Sequence, residues 1–260
     1  MTAIVWIWRS LREHDNTAIV EASKKHDEVI PIYIIDRRYF SETPLCYPRV
    51  KFWHDALENL KQNLEGKEGK DLVVREGKPL EELDKIVEEV DADAVYLNRD
   101  YTPYSRERNQ KIEEGLEVPV KSLKDRVMFE KEEILTNSGT PYKVFTYYSK
   151  KWFDKEHRRP HGVEEYEVPE VESDEILTLE ELGFETPENF NWQWNPSREG
   201  AKDRIEAFKD EIFNYEEDRD YAWKDSTSKL SPHLKFGTVS IREVFWEAER
   251  MKARNPNEDT

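Results

Sequence analysis

A chain of 260 residues with twelve Tyr, eleven Phe and eight Trp has the length for one domain plus a shorter second body and ample material for a core, which excludes collagen-like, glycine-rich and disordered classes. Its net charge of −17 repels phosphates and argues against generic nucleic-acid binding, so any DNA contact must be local, and the plainer reading of the charge is a solvated surface. The single cysteine, Cys46, rules out an internal disulfide and a cysteine-rich metal site, and with neither a basic-then-apolar leader nor a run near the roughly 18 apolar residues of a membrane span, a cytoplasmic protein with no membrane association is expected.

In chain order, Ala3 to Trp8 reads as a buried strand, and Asp15 is positioned to cap a helix through Ile19, Val20 and Ala22. Val29 to Ile35 is the second strand. Phe52, Trp53, Ala56, Leu57, Leu60 and Leu64 then recur at helical spacing, followed by a third strand at Leu72-Val73-Val74. Pro79 opens a helix carrying Leu80, Leu83, Ile86, Val87 and Val90, Ala94 to Leu97 forms a fourth strand and Val118 to Leu123 a fifth. Strands that are apolar on both faces and alternate with helices predict an α/β fold, a parallel Rossmann-like sheet with flanking helices over residues 1–130. Ligands of such sheets lie beyond the carboxyl ends of the strands, where Arg9-Ser10-Leu11-Arg12 and Asn98-Arg99-Asp100-Tyr101 should gather.

Residues 131–200 form a linker, and its glutamate-rich part from Glu164 to Glu188 reads as an ordered but irregular connector. Helical spacing returns over 201–260, with Ile205, Phe208 and Ile212 on one face and a second helix after Ser240 bearing Ile241, Val244, Phe245 and Ala248. A basic group, Lys150, Lys151, Lys155, Arg158 and Arg159, stands out on the acidic chain. It reads either as charge balance for the connector or as a contact for a phosphate backbone.

The most informative segment runs from Tyr215 through Arg219 to Thr227-Ser228-Lys229-Leu230-Ser231-Pro232-His233-Leu234-Lys235-Phe236-Gly237. Ser231 is a good N-cap and Pro232 a good first helical residue, so the hydroxyls of Thr227, Ser228 and Ser231 would stand at the positive end of a helix. Ordinary capping and a pyrophosphate site both fit that chemistry.

This segment resembles the flavin-phosphate motif of the photolyase/cryptochrome family. Val5 to Asn16, Asn98 to Tyr104, Leu123 to Val127 and Ser138 to Thr146 resemble other parts of that family in the same order. The resemblance implies that residues 201–260 are the first helices of an all-α FAD-binding domain. It implies that Tyr215, Thr227, Ser228, Lys229, Leu230 and Ser231 contact FAD, and that Arg219 touches the backbone of UV-damaged DNA; a helix pair with Glu216 is the plainer role for Arg219. Tyr104 and Ser105 depart from the folate-binding pattern, and the Asn98-Arg99-Asp100-Tyr101 segment is closer to members with a deazaflavin antenna, although Ser10 stands where those members carry Asp.

The resemblance also implies that a complete member continues well beyond Thr260. The polar tail Asn255 to Thr260 reads as a natural or designed terminus, and a second polypeptide is expected to supply the C-terminal half. The function implied is the N-terminal part of a cyclobutane pyrimidine dimer photolyase, a carbon–carbon lyase inactive alone. The alternatives are a cryptochrome-type photoreceptor fragment and a non-catalytic chromophore- or nucleotide-binding subunit. No glycine-rich dinucleotide or P-loop pattern occurs, nor a zinc-protease or nucleophile-elbow motif, and His14 beside Asp15 lacks the third partner of a catalytic triad.

Overall fold

The computed structural model describes residues 1–43, 45–162 and 165–254; the polar tail at 255–260 and the first residue of the expected connector lie outside them. The apolar runs become five strands, β1 (Thr2–Ile7), β2 (Glu28–Ile35), β3 (Val73–Glu76), β4 (Ala94–Asn98) and β5 (Val120–Leu123). All neighbours pair in parallel in the order β3-β2-β1-β4-β5. Parallel neighbours need crossovers, and these are α1 (Thr17–Ser23), α2 (Arg37–Glu42) with α3 (Tyr47–Glu65), α4 (Pro79–Val90) and α5 (Pro103–Gly115). Because side chains alternate along a strand, Ala3, Val5 and Ile7 face the layer containing α1 and α3, while Ile4 and Trp6 face α4 and α5. Burial of both faces is what makes the strands continuously apolar.

Two capping expectations are corrected. Asn16, not Asp15, caps α1, its side chain accepting from the Ile19 amide. Asp15 instead takes a left-handed backbone conformation, φ 51°, and turns its carboxylate inward, where several donors compete for it. Farther on, α9 (Ser231–Phe236) starts with Ser231 already inside the helix and Leu230 at the cap position without a side-chain cap. Lys229 takes the left-handed turn at φ 52° and Leu230 is pulled into a core, 5% exposed, so the helix begins one residue early.

The connector is irregular, yet it completes the sheet. Asp174 N donates to Val74 O (2.8 Å), and Val74 N and Glu76 N donate to Ser173 Oγ and Asp174 Oδ2, so the open edge of β3 is covered. Downstream, Leu177, Leu182, Phe184, Trp192 and Trp194 pack on the layer of α1 and α3. Then come α6 (Phe145–Phe153), which precedes this connector, and, after it, α7 (Arg198–Phe208), a single 3-10 turn at Ile212–Asn214, α8 (Tyr215–Asp218) and α10 (Ile241–Arg254). Ala201, Ile205, Leu230, Val239 and Met251 form the small core of this helical tail. Among the described residues no helix is long and apolar enough to cross a membrane.

Candidate functional site

Beyond the carboxyl ends of β1, β4 and β5 the two expected loops do meet. Asn98 accepts from the Ala18 amide and donates to Ser10 Oγ and Asn16 Oδ1 (2.7 Å), tying the β1 and β4 loops together. Asp100 lies between Arg9 (3.2 Å) and Arg126 (2.6 Å). Burial pushes its pKa up, but the two guanidiniums outweigh burial and hold it below the usual carboxylate range.

The crevice where a parallel sheet ordinarily takes its ligand is filled by the chain's own α10. Arg242 bridges Asp15 (2.6 Å) and Asp125 (2.8 Å), and Asp125 also receives Arg12 (2.6 Å). All four side chains are 3% exposed or less. Burial alone would raise Asp125; Arg12 and Arg242 overcome it and bring it to about 2. Arg12 also donates to Gly237 O (3.1 Å), and Arg158 reaches Asp15 and Thr17. Within the basic group, Arg158 reaches this buried set from a partly exposed position, Arg159 lies 3.8 Å over the Trp246 ring and Lys155 stands over Phe129. Among the described residues no ion pair joins any of the five to the acidic connector.

Beside this plug is an aromatic recess walled by Trp8, Tyr33, Tyr39, Phe40, Trp53 and Phe236, with Arg9 and Arg49 at its rim. Tyr33 stacks on Trp8 and its hydroxyl accepts from Trp53 Nε1 (2.7 Å). Lys235 stands close enough to Arg9, Arg49 and Arg126 that burial and their repulsion push its ammonium down to about 8. Neither Arg49 nor Lys235 has an ion-pair partner among the described residues. Four cations served by one carboxylate, Asp100, and walled by rings are by their chemistry a place for a flat anionic aromatic group. The recess encloses about 20 Å³, and a hollow of about 320 Å³ lies on the other side of Tyr39.

The expected flavin residues lie on the helical tail. Thr227, Ser228 and Lys229 line one shallow recess of about 70 Å³ with Arg204 and Phe208. Tyr215, 38% exposed, meets Phe208 edge-on at 5.8 Å, so Phe208 links it to that recess. Leu230 faces the small core, and Ser231 stands exposed at the start of α9. Arg219 lies over the Tyr215 ring at 5.7 Å and forms no ion pair among the described residues, so the helix pair with Glu216 is not made. Hydroxyls beside a guanidinium are donors for phosphate, but Glu211 and Asp225 line the same recess and Asp225 pairs with Lys229; the volume admits a phosphate-sized group only, leaving the rest of a dinucleotide on the surface. Arg204, Lys235 and Arg242 were not singled out by sequence reasoning, and Phe208 was read only as part of a helix face. Only Lys235 lay within a motif, and the others become visible through contacts distant in sequence.

Residues 3–170 match the family model described as DNA photolyase. A deoxyribodipyrimidine photo-lyase of Halobacterium salinarum is 32% identical over 98% of this chain and 56% of that protein. A bacterial class III photolyase from Agrobacterium tumefaciens superposes with a TM-score of 0.79 at 28% identity, over 97% of this chain and 54% of its own. An archaeal photolyase from Sulfolobus tokodaii, solved with two FAD molecules, gives 0.73 at 26% identity over 98% and 58%. The chain thus spans just over half the length of these relatives. With the family model matched across all five strands and into the linker that follows them, this chain belongs to the DNA photolyase family.

Proposed function

We propose that the chain is the N-terminal part of a light-driven photolyase that repairs cyclobutane pyrimidine dimers in UV-damaged DNA. Residues 1–130 act as the antenna-type domain, 131–200 as the linker and 201–260 as the beginning of the FAD-binding domain. The observation that carries this reading is the recess in which the hydroxyls of Thr227 and Ser228 meet Arg204, with Lys229 paired to Asp225 and Glu211 alongside. There Thr227 and Ser228 would donate to the phosphates and Ser231 would add a hydroxyl from the start of α9. Lys229 and Leu230 would shape the turn, and Tyr215 would pack on the flavin side. Bound reduced FAD supplies photoexcited electron transfer to the lesion; the protein holds the cofactor, excludes water and grips the DNA backbone. Arg219, paired with no carboxylate among the described residues, has its fork available for a backbone phosphate.

A second helical polypeptide would close the site. Exposed aromatics support it: on the helical tail Trp223 is 78% exposed and Tyr221 51%, and on α6 Phe145 is 78% exposed and Phe153 62%. Bare aromatics at this density mark a surface meant to be covered. The recess around Trp8 is the place for an antenna, of deazaflavin type on the sequence pattern. To seat a fused ring there, Tyr39 has to swing toward the neighbouring hollow.

The test is FAD titration of the chain together with its helical partner, followed by illumination with dimer-containing DNA. Replacing Thr227, Ser228 and Ser231 by Ala should abolish flavin retention while leaving the fold intact; unchanged retention would refute the assignment. The aromatic recess with Arg9 and Arg49 in its wall favours a second reading, a non-catalytic chromophore-binding subunit, and a cryptochrome-type photoreceptor would share the same cradle. Flavin retention without light-dependent loss of dimers would select among these alternatives.

A further inference from the structure

We propose that His54, Asp55 and Glu58 on α3 form a site for a divalent transition-metal ion, Zn²⁺ by its ligand chemistry, which fastens the connector to the helical layer beneath it. The site rests on neither the flavin nor the chromophore reading.

One ligand atom from each of the three residues lies within 4.8 Å of the other two. His54 and Glu58 are one helical turn apart and share a face of α3, with Asp55 beside them. His54 is 9% exposed, and its Nε2 lies 3.1 Å from Leu177 O of the connector. A carbonyl oxygen only accepts, so Nε2 carries the proton and donates, which in the neutral ring leaves Nδ1 a bare lone pair. That lone pair faces Glu58 Oε2 at 3.5 Å and Asp55 Oδ1 at 3.7 Å.

Three acceptors turned on one point repel unless a cation lies between them. A proton on Nδ1 does not answer the geometry, because charge-assisted N–H···O bonds close to about 2.7–2.9 Å and both separations are well beyond that. Zinc bonds to imidazole and carboxylate of roughly 2.0–2.2 Å set the ligands of a tetrahedron about 3.3–3.6 Å apart. The two histidine–carboxylate separations lie at or just beyond that edge. The Glu58 side chain, 46% exposed, has the freedom to close the rest.

Lys51 donates to both oxygens of Asp55, at 3.0 and 2.9 Å. Each oxygen keeps a second lone pair, so Lys51 orients the carboxylate for an ion as Leu177 O orients the imidazole, the usual support of metal ligands. Two carboxylates against one ammonium leave the set anionic. A mixed nitrogen and oxygen set without cysteine suits zinc and its first-row neighbours, whereas Mg²⁺ and Ca²⁺ take oxygen ligands. None of the recesses described above is lined by these residues, so the ion's work is mechanical. With His54 held at both nitrogens, Leu177 is pinned to α3. The turn that follows it, where Leu182 N, Gly183 N and Phe184 N donate to Thr178 O, Glu180 O and Leu179 O, should then open less often.

ZnCl₂ added to the native chain is the probe, read by calorimetry and by hydrogen exchange. One Zn²⁺ per chain should bind. With free Zn²⁺ at about ten times the Kd, exchange at Leu182, Gly183 and Phe184 should slow several-fold, toward a linkage limit of about tenfold. Glu58→Gln, at a half-exposed position that leaves the core alone, should weaken binding at least about tenfold. Glu58→His should restore it, since imidazoles at i and i+4 hold zinc on one helix face. MgCl₂ should produce neither effect. Equal affinity in the native chain and in Glu58→Gln would mean adventitious zinc on other histidines and would overturn the site, as would no saturable binding or a Mg²⁺ effect of the same size. Binding that Glu58→Gln weakens but that leaves connector exchange unchanged would overturn the fastening.

Discussion

Around the sheet, the large side chains with no exposure are apolar, among them Ile4, Ile7, Ile32, Leu57 and Leu83, each at 0%. At the joint between the sheet and the helical tail, the most buried groups include Arg242, Asp15 and Asp125, at 2% or less. The first kind of contact is non-directional and spread over many residues, so it tolerates small shifts. The second is directional: Arg242 meets both carboxylates in only one arrangement, so the joint fixes the angle at which α9 and α10 dock and, with it, the position of the tail relative to the aromatic recess. A buried ion set is weak evidence for stability and better evidence for such registration.

The largest effect should come from breaking that set on one side. Arg242→Ala strands Asp15 and Asp125 without their shared cation and should cost about 3–5 kcal/mol. Hydrogen exchange should show the protection of α9 and α10 collapsing while the amides of β1, β2 and β4 persist. Leu57→Ala, a comparable loss of about 2–5 kcal/mol, should lower protection throughout the sheet. If both variants open the whole chain together, the joint is not a separate unit.

Gly237 sharpens the comparison because it has a matched control. Gly237 and Gly139 share the left-handed φ of 75°, but an added Cβ at Gly237 would sit 2.4 Å from Arg9 O and 2.7 Å from Ser10 Cα, whereas at Gly139 it meets nothing within 4 Å. Gly139→Ala should cost the conformational penalty of roughly 1–2 kcal/mol. Gly237→Ala should add overpacking of about 1–3 kcal/mol, read as the extra fall in midpoint on chemical denaturation. Equal losses at the two positions would mean that the tail does not press on the β1 loop.

This division also explains what the sequence could reveal. The strands and α3 to α5 were legible because burial of a sheet imposes a period that one segment carries by itself: Leu80, Leu83, Ile86, Val87 and Val90 mark a helix without reference to anything else. The joint was not legible. Arg242 lies 227 residues from Asp15 and 117 from Asp125, and no local pattern marks an arginine destined for burial. Asp15 was read as a helix cap because local chemistry allowed it; the distant Arg242 took the carboxylate and left capping to Asn16. The aromatic recess was half legible. The loops were expected at the strand ends, but Trp53 and Phe236 reach it only through tertiary packing. The hydroxyls at Thr227 and Ser228 were visible as a motif, whereas Arg204, their partner in the recess, sits on α7 at ordinary helical spacing.

A last prediction tests whether the joint can be loosened without mutation. His233, on α9, is 1% exposed, hydrogen-bonded through Nδ1 to Thr238 Oγ1 (2.8 Å) and set edge-on to Phe52 of α3. Burial, and then Arg204, push it from its ordinary 6.5 to about 4. Its folded value is depressed, so the unfolded chain binds the proton more readily across that interval: stability is fully present above 6.5, declines as pH falls toward 4 and levels off below. Asp125 falls from 3.8 to about 2, so its contribution is retained through the histidine window and lost only between those lower values. The two groups should therefore release in sequence, α9 first and the Arg242 set later. Near-ultraviolet circular dichroism from Phe52 and Trp194, which both contact His233, should change on the histidine step. His14 and His26 shift in the same direction, so His233→Asn is the control that isolates the step. If that variant keeps the full decline between 6.5 and 4, the contact between α9 and α3 is not where acid first acts.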